Sequence, residues 1–232
     1  MRRYRFSLQA SIFSVFLALT AASVQAAGLD AISSGDASAG VKEALAKGAD
    51  FAVASLGKSD GFLGNDKVKI PLPGYLQKAE SALRMFGMGK QADQLVETMN
   101  RAAENAVAEA KPVLSDAIKR MTVQDAKAIL TGGDDSVTQY FRRTTSDQLA
   151  ARFMPIVKKQ TGKLQLADQY NAFAGKAASA GLVDKKDADL DSYVTQKAMD
   201  GLFLMIAEEE KKLRANPVAA GSAVLKKVFG AL

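Results

Sequence analysis

The chain has 232 residues, 48% hydrophobic and 24% charged, with a formal net charge of +6. It contains neither His nor Cys, which excludes disulfides, zinc centres, thiol nucleophiles and imidazole acid–base chemistry, and leaves hard oxygen-ligand sites and carboxylates. The first 26 residues carry Arg2, Arg3 and Arg5 but no acid, so the remainder holds 28 basic against 25 acidic groups, a balance that argues against a nucleic-acid partner.

The first element is a leader. Arg2, Arg3 and Arg5 form a basic start, Ile12 to Leu19 an apolar stretch, and Val24-Gln25-Ala26 a small-residue cleavage site, so residues 1–26 are expected to be a cleaved signal peptide. The apolar run from Ala10 to Ala22 is shorter than the roughly 20 residues that a spanning helix needs. The expected product is residues 27–232, one helical domain, soluble in the periplasm with no transmembrane segment after processing.

Beyond the leader the apolar spacing is helical. Ser38 is a candidate cap for a helix with Val41, Ala44, Leu45, Ala49, Phe51 and Ala52 inward, stopped by Gly57 after Leu56. Residues 57–74 read as one irregular segment, in which Pro71 and Pro73 hold Val68, Ile70 and Leu72 in an extended run. With no second alternating run to pair with, these three are expected to lie in a groove across a bundle rather than in a hairpin. A short helix from Tyr75 to Phe86 follows, punctuated by Gly87 and Gly89.

A long helix from Gln91 to about Ala110 carries Ala92, Leu95, Val96, Met99, Ala102, Ala103, Ala106 and Val107 on one face. Pro112 marks a kink or a new start toward Met121. Thr122-Val-Gln-Asp125 resembles a capping box that opens a helix through Leu130, ended by Gly132 and Gly133. Asp134 or Asp135 is placed as the cap of the next helix, with Val137, Tyr140 and Phe141 inward. Thr145-Ser-Asp-Gln148 reads as another box before Leu149, Phe153, Ile156 and Val157, with Pro155 interrupting, and Gly162 sets off a helix from Leu164 to Ala180.

The helix from about Ser192 to Leu213 is expected to be the core element, since Ala198 to Ala207 is apolar nearly all round. Its end, with Glu208, Glu209 and Glu210 before Lys211, Lys212 and Arg214, is expected to be an exposed run of ion pairs. Pro217 opens a last amphipathic helix with Val218, Val224, Leu225, Val228 and Phe229 on one side and Lys226 and Lys227 beside it. Some nine helices in an all-α, single-domain bundle result.

Two acidic groups carry candidate chemistry. Asp187, Asp189 and Asp191 have the first, third and fifth spacing of a calcium loop, with Asp184 upstream, but Ser192 and Ala198 replace its glycine and its bidentate Glu, so caps are the simpler use. Asp134 and Asp135 precede Tyr140, Arg142 and Arg143 by one to two turns, a set able to hold an anion at a helix start. Gly87-Met-Gly89 and Thr131-Gly-Gly133 lack the remainder of any nucleotide loop. No metal and no cofactor are assigned, and no catalytic or binding residue.

Several unusual words occur in order: Asp60-Gly-Phe62, Val68-Lys-Ile-Pro-Leu-Pro73, Met99-Asn-Arg-Ala-Ala-Glu104, Ile129-Leu-Thr-Gly-Gly-Asp134, Tyr140-Phe-Arg-Arg143, Asp191-Ser-Tyr-Val-Thr-Gln-Lys-Ala198 and Asp200-Gly-Leu-Phe203. Together they resemble the exported proteobacterial family called domain of unknown function 4197, from near Leu29 to Phe229. The resemblance implies an exported, mostly helical domain and supplies no activity or site residues.

The sequence therefore favours a non-catalytic helical protein that binds a protein partner or an amphiphile, with residues 217–232 either closing the core or making weak peripheral membrane contact. The alternative is a carboxylate-dependent enzyme, such as a hydrolase, with Asp134 or Asp135 as general base and Arg142 or Arg143 holding an anion.

Overall fold

The computed structural model describes residues 33–179 and 188–216, and among these all regular structure is α-helical. Eight helices follow in order: α1 Ser34–Leu56, α2 Gly74–Met85, α3 Gly89–Ala108, α4 Lys111–Arg120, α5 Val123–Thr131, α6 Ser136–Thr161, α7 Gln165–Ser179 and α8 Leu190–Ala215. The ninth helix expected from Pro217 onward lies outside the described residues, as does the leader.

Helices α3, α6 and α8 pack against one another at the centre. Helix α1 crosses α8 and also contacts α4 and α5, while α2 rests on α3 and α7 touches α3 and α8. The central interfaces bury Leu95, Met99, Phe141, Leu149, Phe153, Leu202 and Phe203, each at most 1% exposed, and a large apolar side chain removed from water this fully contributes about 1.5–3 kcal/mol. On α3 the small Ala102, Ala103 and Ala106 are completely buried and let neighbouring backbones approach.

Local chemistry sets most boundaries. Thr122 and Asp125 form the reciprocal capping box that opens α5, the Thr122 hydroxyl accepting from the Asp125 N–H at 3.1 Å and the Asp125 carboxylate from the Thr122 N–H at 3.1 Å. Pro112 starts a helix rather than kinking one, since it sits in the first turn of α4 where its missing N–H costs nothing. Gly87, at φ 75°, makes the reversal between α2 and α3 in a conformation that other residues rarely adopt.

Five expectations need correction. Helix α1 starts four residues before Ser38, because Ser33 accepts from the Asp36 N–H at 3.1 Å and caps it. Phe51 is not inward: it is 39% exposed, with the Lys212 ammonium 5.0 Å above its ring. Thr145 opens no new helix, since α6 is continuous over 26 residues and the Thr145 hydroxyl donates back to the Phe141 carbonyl at 2.6 Å. Pro155 does not end α6 either; it stands on the exposed side of the helix together with the exposed Ala151, whose carbonyl it deprives of a helical donor.

The fifth correction concerns the end of α8. Glu208 and Glu209 are half-buried, and Glu210 is 4% exposed, turned into the bundle rather than toward solvent. The middle of α8 is covered as expected, with Leu204 the exception at 40% exposed.

The extended run behaves as its pattern implies. Val68, Ile70 and Leu72 are buried in a groove of the bundle, and no strand pairs with them among the described residues.

Candidate functional site

The start of α6 was the strongest candidate for chemistry, and only part of its set comes together. Asp135 occupies the cap position of α6 but makes no capping bond; its carboxylate accepts from the Gln139 side chain at 2.8 Å. Asp134 is exposed beside it. Arg142 lies 4.6 Å over the Phe203 ring and 3.5 Å from Asp200, on the α8 side. Arg143 turns to α5, 3.3 Å from Asp125 and 5.6 Å from the Tyr140 ring centre. Successive helical residues point about 100° apart, so two adjacent arginines reach different neighbours.

Asp135, Ser136, Gln139, Tyr140, Arg143 and Asp125 do line a shallow depression of about 200 Å³. Its groups are already engaged. The Tyr140 hydroxyl donates to the Ala117 carbonyl at 2.8 Å, and burial, reinforced by the nearby Asp125 charge, pushes this phenol above its ordinary range. Hydrogen bonds from the Thr122 hydroxyl and then the Thr122 backbone hold the Asp125 carboxyl below the usual carboxylate range, with Arg143 adding to the effect. A nucleophile and a free base within reach of each other are not part of this set.

The cap of α6 comes from another helix. Glu210 of α8 accepts from the Val137 N–H at 2.9 Å, the Thr138 N–H at 3.1 Å and the Thr138 hydroxyl at 3.2 Å. Arg214, one turn on, donates to Glu210 at 3.1 Å, to the Ile129 carbonyl at 2.9 Å and to the Ser136 hydroxyl at 2.7 Å. One buried ion pair thus joins the start of α6, the end of α5 and the end of α8. The signal was in the sequence: Glu210 falls four residues after Ile206 and seven after Phe203, on the buried stripe.

A second set of buried polar side chains holds the irregular segment. Asn100 accepts from the Ile70 N–H at 2.8 Å and donates to the Ile70 carbonyl at 2.9 Å. Glu104 accepts from the Phe62 and Leu63 N–H groups, both at 3.1 Å, and from Arg101 at 2.9 Å; Arg101 also reaches Asp60 at 2.9 Å. Asp60 holds the left-handed φ of 61° that starts this turn. Phe62 then packs on Gly201, where a Cβ would come within 2.6 Å of the ring. The words around residues 60, 70, 100 and 201 are therefore complementary parts of one docking arrangement.

The acidic run before α8 serves structure where it is described. Asp189 caps α8 by accepting from the Ser192 N–H at 2.7 Å, and Asp191 accepts from the Thr161 hydroxyl; Asp184 and Asp187 lie outside the described residues. Among the described residues no three acidic side chains stand close enough to hold a metal ion, and no helix is long and apolar enough to cross a membrane.

The family model described as "Protein of unknown function (DUF4197)" matches residues 31–230. No curated protein and no solved structure matches the chain.

Proposed function

The chain belongs to the DUF4197 family, and from that premise we propose that it is a non-catalytic, exported helical protein that binds a protein partner or an amphiphile in the periplasm. The observation that carries this reading is that Arg142 and Arg143 are each engaged by another carboxylate, Asp200 and Asp125, rather than held ready for an anion beside Asp134 and Asp135 as a hydrolase at this place needs. The absence of His and Cys from the whole sequence weighs the same way.

Residues 1–26 act in this reading as the cleaved leader and 27–232 as the working domain. N-terminal sequencing of the protein released from the periplasm then gives Ala27 or Gly28 as the first residue; an intact Met1 on membrane-bound protein contradicts export with cleavage.

The direct test of binding is native mass spectrometry of protein extracted from its own periplasm. A reproducible non-covalent adduct, either an amphiphile or a defined protein, supports the proposal. A second reading, a carboxylate-dependent enzyme, rests on the one depression that Asp135, Tyr140 and Arg143 share. It predicts turnover of an ester or amide substrate that Asp135→Asn abolishes.

A further inference from the structure

Met85 and Phe86, the last residue of α2 and its C-cap, are 86% and 83% exposed. The next most exposed large apolar side chain described, Val123, reaches 54%. These two stand side by side at a convex tip, where the chain reverses through Gly87 into α3.

The tip is held in place. Arg84 bonds Glu80 on its own helix at 2.8 Å and Asp93 on α3 at 2.6 Å, clamping the last turn of α2 to the first turn of α3. Arg84 offsets one of these two negative charges, and Lys78 and Lys90 outweigh the other. Lys78 lies seven and eight residues before Met85 and Phe86, on the same stripe of α2 through the exposed Ser81 and Ala82. Lys90 opens α3 on the other side of the turn. Among the described residues neither lysine has a carboxylate partner, so a pair of free cations flanks the apolar pair.

The shape selects the occupant. Two protruding side chains bury far less than the roughly 800 Å² per partner of a stable protein interface, whereas insertion among lipids needs only an apolar wedge with cations at headgroup level. We propose that the α2–α3 turn is a membrane-surface contact, with Met85 and Phe86 entering an anionic bilayer and Lys78 and Lys90 meeting its headgroups. This names the amphiphile of the binding reading above and rests on it.

The chain contains no Trp, so Phe86→Trp provides a single reporter at the tip of the exported protein. With vesicles of equal parts phosphatidylglycerol and phosphatidylcholine its emission shifts to shorter wavelength, and added salt reverses the shift. Lys78→Glu/Lys90→Glu lowers vesicle partitioning by about tenfold or more, and Met85→Ser/Phe86→Ser removes it while the circular dichroism melt is unchanged. The proposal is overturned by no shift with these vesicles, by an equal shift in Leu204→Trp, or by a lipid-free shift that grows with protein concentration and so reports self-association. Undiminished vesicle binding by Met85→Ser/Phe86→Ser also overturns it and assigns contact elsewhere, residues 217–232 included. A copurified amphiphile without any vesicle response removes the tip and leaves the binding reading standing; failure of both removes both.

Discussion

Asn100 pairs through both ends of its carboxamide with the backbone of Ile70, accepting its N–H at 2.8 Å and donating to its carbonyl at 2.9 Å. A side chain on a helix thus offers an extended segment the bonds that a neighbouring strand offers in a sheet. The same amide also donates to the Val96 carbonyl at 2.7 Å, which fixes its orientation. This is how a run of alternating residues lies buried in a helical protein without a partner strand.

Asn100→Leu leaves two Ile70 backbone groups buried and unpaired. Denaturant unfolding is expected to show a loss of about 2–3 kcal/mol, with faster hydrogen exchange at the Ile70 amide. A midpoint equal to that of the parent contradicts the pairing.

Glu210→Ala removes the acceptor from the Val137 and Thr138 N–H groups and takes away the carboxylate that pairs with the Arg214 guanidinium, itself 12% exposed. Breaking a buried pair from one side costs about 3–5 kcal/mol, whereas Glu209→Ala on the same turn costs under about 0.5 kcal/mol. Equal effects of the two replacements in thermal melts place the buried acid wrongly.

Phe203→Ala empties a site that is 1% exposed and also removes the ring beneath Arg142. The expected loss is about 3–5 kcal/mol, measured by denaturant midpoint against Leu204→Ala, whose side chain is 40% exposed and whose replacement costs much less. Similar midpoints for the two mean that the buried face of α8 has been misplaced.

Acid acts on the capping box. The Asp125 carboxyl is held below its ordinary value, mainly by the Thr122 hydroxyl, so its contribution is fully present above the unfolded pKa of about 4 and is lost as pH falls through the folded value. Thr122→Ala costs about 1 kcal/mol at neutral pH, and this difference shrinks in acid as the pH falls through the lowered folded value and the carboxylate protonates. A penalty that is constant across the acid range contradicts a charge-dependent cap.

Where one period and one cap agree, the sequence was readable: the face of α3, the Thr122 box and the buried Val68, Ile70 and Leu72 all stand as their spacing implies. Helix α6 was harder. Its buried residues from Phe141 to Thr161 recur every four positions, and each such step turns the face by about 40°, so no single amphipathic side exists and Thr145 with Pro155 resembled a break. Glu210 was hidden for a different reason, because three acids followed by three bases read as surface pairs until the start of α6 is seen to need a cap. The candidate cluster is only partly assembled, Arg142 turning to Asp200 while Asp135 and Arg143 line one depression, since closeness in sequence says nothing of which neighbour each arginine meets.

The reading that binding occurs without the 134–143 cluster is tested most directly by native mass spectrometry of the exported Asp135→Asn/Arg143→Gln variant beside the parent protein. Retention of the same adduct at the same occupancy is the predicted result. Loss of the adduct from a variant that keeps the parent's melt contradicts it and returns the function to the start of α6.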